Sequence, residues 1–396
     1  MTVRKIGLFL DADPSHGGTF QYNQNILAGV ASLPRDRFTV TVGYTAPGWL
    51  EHLATYDLAT VHIPRAPLSQ AAFLLWNQAH LPMGLWRRAS RFFHPKAKAF
   101  LRAECDLWIF PSQEDLGYQM PLPVLASIAD LCHRFGRRFP ESAAPREYQY
   151  REQKYRNICR WSKGVLVDAE LVRQQVIEAY GMAPERVHVL PQIAPRYMHS
   201  LEIPQDFDRR YQLPDKFLFY PAQFWEHKNH RNLLRALATL KGELPDLKLL
   251  LAGGKKNAYE AVVSLVEELN LSENVVFLGY VPDADMPELY RRARALVYAT
   301  HFGPCNIPPL EALVAGCPMA LADITRMPDQ VGDAALVFNP DSVEEIAECI
   351  RRLWADDQLC QRLSRRGREQ AAQWDQPQYN ARLCEIVAQV VHASDR

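Results

Sequence analysis

Residues 294–323 read RALVYATHFGPCNIPPLEALVAGCPMALAD. A short apolar run (294–300) passes into a loop with Gly303 and Pro304, then into a helical pattern over 308–315 that stops at Gly316, and a second apolar run follows at 317–323. Strand, loop, helix and strand at this spacing form the βαβ unit of a parallel sheet. Similar runs precede it at 216–222 (KFLFYPA), 247–254 (LKLLLAGG) and 274–281 (NVVFLGYV), separated by helical patterns near 230–241, 257–270 and 285–293. The C-terminal half is therefore expected to be a doubly wound α/β domain.

The N-terminal half shows the same grammar less regularly: KIGLFLDA, a Gly-Gly turn, a helix near 21–32, then RFTVTVGY, DLWIFP and PVLASIAD. A chain of 396 residues exceeds one ordinary core, so two domains are expected. The segment 191–204 (PQIAPRYMHSLEIP) has three prolines and fits neither periodicity, which makes it the linker. The expected domains are 1–195 and 200–372, with a last helix near 375–396 crossing back to the first. Lys plus Arg and Asp plus Glu are 45 each, so no global field recruits nucleic acid. The opening MTVRKIGLFLDADPS reads as a first strand, being too short in apolar residues for a signal peptide or a membrane span. Eight cysteines without a CxxC pair or a Cys/His cluster argue against zinc and disulfides and suit a cytoplasmic location.

Ligands of doubly wound sheets sit beyond the carboxyl ends of the strands. Gly303, Pro304 and the amides of Cys305, Asn306 and Ile307 lie there, ahead of a helix, in an arrangement suited to a diphosphate. Glu311 in the first turns of that helix is expected to accept hydrogen bonds from ribose hydroxyls, the alternative being a simple dipole interaction. Gln223 and Lys228 follow the first strand of the same domain, where a cation stabilises a departing diphosphate. Gly17, Gly18 and Thr19 form a Gly-rich βα turn in the other domain, where backbone can approach a ligand. The two DAD tripeptides, 11–13 and 283–285, lack further oxygen ligands; the second reads as a helix start capped by Asp285. No metal is expected, and without a GxGxxG no dinucleotide cofactor either.

Residues 277–350, together with PAQFWEHKN (221–229), resemble the group 1 glycosyltransferases (glycosyltransferase family 4). Weaker likeness extends to GGTFQYNQNIL (17–27) and SIADLCHRFGRRFPES (127–142). The resemblance implies a GT-B fold, two Rossmann-like domains facing each other across a cleft, and a retaining, metal-independent transfer of sugar from a nucleotide diphosphate donor. It places Glu311 on the ribose. The family's phosphate-side arginine falls on Gln223, its sugar-contacting glutamate on Thr300, and its N-domain histidine on Ala129, leaving Asp130 and His133 as polar candidates for catalysis beside Lys228. A subgroup with an FGPxNIPPLEA loop, mostly resembling surface-polysaccharide enzymes, shares the insertion seen here.

The function expected is transfer of a hexose, from GDP-mannose or a similar donor, to a glycan or lipid-linked acceptor. The alternatives are a non-catalytic nucleotide-sugar-binding scaffold, suggested by Thr300 and Ala129, and a GT-B epimerase or phosphorylase. The segment 85–102 carries six Lys or Arg with Trp86, Phe92, Phe93 and Phe100 and no acid. It reads either as a peripheral contact with the inner face of the cytoplasmic membrane or as a solvated helix with its aromatics in the core.

Overall fold

The computed structural model describes residues 3–13, 17–79, 81–136, 138–303, 305–324 and 327–393. The chain divides into two compact units, one of Met1–Leu131, Gln149–Gln192 and Gln376–Arg396, the other of Cys132–Tyr148 and Ile193–Asp375.

Unit 1 is built on seven strands: β1 (Arg4–Leu10), β2 (Phe38–Tyr44), β3 (Ala59–His62), β4 (Leu107–Phe110), β5 (Val124–Ser127), β6 (Gly164–Val167) and β7 (Val187–Val189). They pair in the order β3-β2-β1-β4-β5-β6-β7, every pair parallel. Helices cover such sheets on both faces, which is why the inner strands read as unbroken apolar runs. One residue breaks the run of β1. Gly7 lies opposite Trp108 of β4, and a Cβ on it would stand 2.3 Å from the indole. The ring occupies that space and takes the edge of Phe100 at 4.7 Å. The helix Gln376–Ala393 lies on the helix Gly18–Ala31 through a similar close approach, since a Cβ on Gly29 would reach within 2.7 Å of Leu383.

Unit 2 carries β8 (Leu218–Pro221), β9 (Leu249–Ala252), β10 (Val275–Gly279), β11 (Ala295–Tyr298), β12 (Met319–Ala322) and β13 (Ala335–Phe338), all parallel in the order β10-β9-β8-β11-β12-β13. The chain winds outward one way from β8 and the other way from β11. The crevice between these two is the topological switch point. In unit 1 the same reversal falls between β1 and β4.

Two expectations are revised. A continuous first domain over 1–195 was expected, whereas residues 132–148 group with unit 2. Asp285 does occupy the N-cap position of the helix Met286–Arg292 but makes no capping bond. Its buried carboxylate instead takes both arms of Arg210 at 2.6 and 2.7 Å and the hydroxyl of Tyr211 at 2.7 Å. A fork of two charge-assisted bonds outcompetes one backbone N–H.

Gly7→Ala should destabilise unit 1 by about 1–3 kcal/mol, because the methyl must displace a fully enclosed indole. Urea unfolding followed by tryptophan fluorescence checks this, and an unchanged midpoint would contradict the packing described.

Candidate functional site

The loops that leave β8 and β11 meet at the switch point of unit 2, and Asn229 ties them. It sits at φ 58°, where Asn is among the few non-glycine residues tolerated. From there its Nδ2 donates to the carbonyls of Ala299 (3.0 Å) and Pro340 (2.8 Å). The backbone of His301 donates to the His227 carbonyl at 2.7 Å. Lys228 is held between these anchors. Its Nζ donates to the Tyr298 hydroxyl (3.0 Å) and to Asn306 Oδ1 (3.3 Å), while Tyr220 donates to its carbonyl. Lys228 and Asn306, expected to share the donor site, are therefore brought together.

Asn306 is the N-cap of the helix Ile307–Ala315. Gly303, at φ 132°, gives the turn its tightness: a Cβ there would lie 2.6 Å from Asn306 Nδ2. Pro304 falls outside the described residues. The anion cradle differs from the expected one. The Asn306 N–H points to Gln330 Oε1 (3.3 Å), and Gln330 returns a bond to the Asn306 carbonyl (2.8 Å). Pro308 and Pro309 have no N–H to give. Ile307 and Leu310 are the first-turn residues with an amide beyond the cap, and the cation at 228 becomes the larger positive element of the site.

Thr300, expected on the donor sugar, is fully buried. Its hydroxyl donates to the Phe302 carbonyl (2.9 Å), lies 3.2 Å from that of His227 and accepts from the Phe302 amide. It locks the loop and does not present itself to a ligand. Gln223 is likewise engaged, its Oε1 accepting from the Trp225 indole at 3.0 Å. Cys305 is half-buried beside Asn306.

Glu311 lies beneath this loop, 3% exposed. Tyr197 donates to its Oε1 and Tyr290 to its Oε2 (2.6 Å). Burial pushes the carboxyl up from an ordinary 4.5 to about 7, with the two tyrosine hydroxyls acting in the opposite direction. Each oxygen already accepts one tyrosine bond, and the half-buried Tyr197 stands on the side where a further hydroxyl would have to approach.

The segment 132–148 adds residues that the sequence reading did not assign. Glu141 accepts from the His227 amide (3.0 Å), from the His227 ring and from Asn257 Nδ2 (3.0 Å). Arg138 meets His301 Nδ1 at 2.5 Å, and Phe139 stacks on the same ring at 5.5 Å. Burial and the adjacent guanidinium hold His301 down at about 4, so it is neutral at physiological pH. In the sequence this segment is marked by the weak family likeness of 127–142 and by the recurrence of charged and aromatic residues in HRFGRRFPES, neither of which assigns a role to Arg138 or Glu141. His133, in the short helix Cys132–Phe135, is fully buried with its ring 5.5 Å from Tyr148.

Asp130 falls in unit 1 and so is not grouped with His133. Arg151 stands 3.8 Å from it, and Asp168 lies close enough for repulsion to add to burial in raising the Asp168 carboxyl to about 8. The switch point of unit 1 holds a cavity of 380 Å³ lined by Asp11, His94, Lys96, Glu114, Asp115 and Tyr118 among others. Glu114 Oε2 accepts from the Ser112 amide, while Oε1 is enclosed and has no partner among the described residues. Burial raises this carboxyl to about 7. Asp115 accepts from Tyr118 (3.1 Å) and Tyr150 (2.7 Å). Gly17, Gly18 and Thr19 begin the helix Gly18–Ala31 in the β1 turn of this unit and are exposed. Asp11 accepts from Thr45. Among the described residues no three His, Cys, Asp or Glu side chains are grouped as metal ligands would be.

Residues 204–370 match the family described as glycosyl transferases group 1. Over these residues the chain is similar to that family. It is 29% identical over 240 residues to O-antigen chain mannosyltransferase B of Escherichia coli, covering 59% of this chain and 63% of that protein. It is 25% identical over 252 residues to the mannosylfructose-phosphate synthase of Agrobacterium fabrum, covering 59% and 55%. The chain thus spans less than two thirds of the length of these relatives. Among solved structures, Anabaena HepE in complex with UDP and glucose superposes with a TM-score of 0.72 at 18% identity, over 97% of this chain and 99% of that one. WaaG, a glycosyltransferase involved in lipopolysaccharide biosynthesis, gives 0.68 at 18% identity over 96% and 99%. The two units are those of the GT-B fold.

The folded-state value of Glu311 exceeds its ordinary one, so the stability tied to its proton is complete below pH 4.5 and is lost as pH rises through about 7. Glu311→Gln cannot ionise. Its melting temperature relative to wild type should climb between pH 4.5 and 7 and then level off. Glu311→Ala, which strands two tyrosine hydroxyls, should cost about 1–3 kcal/mol below pH 4.5, and because alanine cannot ionise either, that deficit should shrink over the same pH range. Melting curves across this range check both, and a flat difference for the Gln variant would mean that Glu311 titrates normally.

Proposed function

We propose that this protein is a retaining glycosyltransferase that moves a hexose from a nucleoside diphosphate sugar to a hydroxyl of a glycan or lipid-linked acceptor in surface-polysaccharide synthesis. The observation that carries the reading is the seating of Lys228, fixed by Tyr298 and Asn306 at the switch point of the unit that matches the family. Mannose is the hexose proposed, because the relatives named mannosyltransferases share this half of the chain. In the transfer, the bond from the anomeric carbon to the diphosphate oxygen breaks and the acceptor oxygen bonds to that carbon. The acceptor proton leaves with the diphosphate. Charge on the diphosphate grows as the bond breaks, and a preorganised ammonium beside a helix N-terminus is worth most at that moment. These groups do the neutralising, so turnover is expected to persist in EDTA.

Glu311 is proposed to receive the ribose once Tyr197 gives way. Tyr197 is half-buried on the short turn Arg196–His199, whereas Tyr290 is enclosed, so Tyr197 is the partner that can be exchanged. The cavity of unit 1 is proposed as the acceptor pocket. A carboxylate oxygen without a donor among the described residues, in a cavity that Lys96 and two tyrosine-bonded oxygens also line, suits a ligand rich in hydroxyls.

Lys228→Met should lower kcat by about 10²-fold or more while changing nucleoside diphosphate affinity far less. Tyr197→Phe should tighten that affinity, since it removes the competitor for Glu311. Calorimetry with GDP and UDP, together with mass spectrometry of the transfer product, measures both. Nucleotide binding without transfer or hydrolysis would favour a scaffold, and an unchanged kcat in Lys228→Met would remove the lysine from the mechanism.

A further inference from the structure

Between Asp57 and Glu104 the chain has no acidic residue and seven Lys or Arg, although its net charge is zero. This stretch builds three consecutive helices, Pro67–Gln78, Met83–Phe93 and Pro95–Arg102. The first two are welded by aromatic contacts, Phe73 to Trp86 at 5.2 Å and Trp76 to Trp86 at 5.6 Å. Trp86 and Phe100 are therefore core residues, as a solvated helix would have them, but Phe92 and Phe93 are not.

What remains outside is unusual for a surface in water. Eight of the seventeen large apolar side chains exposed among the described residues fall between Leu68 and Leu101, with Leu68 at 86%, Phe92 at 75% and Leu75 at 66%. Leu68 and Leu75 stand seven residues apart on the first helix, and Leu85, Arg88 and Phe92 follow the three-to-four spacing of one stripe on the second. Arg88, Arg91, Lys98 and Arg102 are exposed among them. Arg87 is spent inward, donating to the carbonyls of Tyr118 and Leu122. An open groove beside the stripe, lined by Leu85, Arg88, Leu122, Trp161 and Lys163, continues the same mixture of apolar floor and basic rim.

We infer that this face docks unit 1 onto an anionic lipid bilayer. Leucine and phenylalanine side chains would enter the boundary between headgroups and acyl chains, while the guanidinium and ammonium groups meet lipid phosphates. A protein partner would need acidic residues against every basic one and a matching apolar relief. A bilayer supplies both without shape. The absence of any acid over the whole stretch is what an anionic surface demands, since a single carboxylate would be repelled.

The test is flotation of the full chain with phosphatidylglycerol-containing vesicles and with vesicles of phosphatidylcholine alone. Binding to the former, weakened by salt and near background on the latter, is expected. Arg88→Glu with Arg91→Glu should reduce it by about tenfold or more, and Leu68→Ser with Leu75→Ser and Phe92→Ser should abolish it, with melting temperatures unchanged in both. Because no turnover is read, the result stands apart from the assignment of sugar transfer. Background binding to anionic vesicles, full binding by either variant, or a wild-type dimer in sedimentation that the serine variant dissociates would overturn the inference, the last by giving the face to a second copy.

Discussion

Everything at the switch point of unit 2 hangs on two hydrogen bonds from one amide nitrogen. Asn229 Nδ2 joins the end of β8 to the loops after β11 and β13. With its backbone left-handed, the following helix His230–Leu240 starts at once, and the preceding residue, Lys228, is turned to meet Tyr298 and Asn306. A flexible lysine has about 2 kcal/mol of rotamer entropy to lose on being fixed. Here that loss is met by Tyr298 and Asn306 before any ligand arrives, which is what preorganisation of a cation means.

The two sheets solve the same problem with different chemistry. In each, reversal of strand order opens a crevice that side chains from two loops must line. Unit 2 lines its crevice with a cation, a helix end and satisfied hydroxyls. Unit 1 lines its own with carboxylates, amides and tyrosines around an enclosed oxygen that lacks a donor among the described residues. The first set suits negative charge that grows during a reaction. The second suits neutral hydroxyls, for which paired donors and acceptors give orientation rather than net attraction.

The sequence was most legible where a local rule was enough. The runs at 216–222, 247–254, 274–281, 294–300 and 317–323 contain β8 to β12. Strands β3 (ATVH), β6 (GVLV), β7 (VHV) and β13 (ALVF) are not among the runs read from the sequence. The side-chain partners that no local motif announces were all decided at a distance. Asp285 is claimed by Arg210, 75 residues upstream; Glu311 by Tyr197; and Thr300 by the carbonyl of His227. In each case burial made an unmet hydrogen bond too costly to leave, and the partner that met it lay beyond any motif. Loop glycine was easier: the tightness asked of Gly303 is visible in the sequence, even though the atom it makes room for is not.

Chain order and spatial membership do not coincide. Unit 2 includes residues 132–148, made well before its own strands, and unit 1 includes the helix Gln376–Ala393, made after every strand of unit 2. On a ribosome adding roughly 5–20 residues per second, β1 to β7 wait about 10 to 40 s for the helix that covers Gly29. Meanwhile Glu141 and Arg138 wait for His227 and His301. The unit begun first is thus finished last, and the surface beneath its missing helix is a natural target for a chaperone during synthesis.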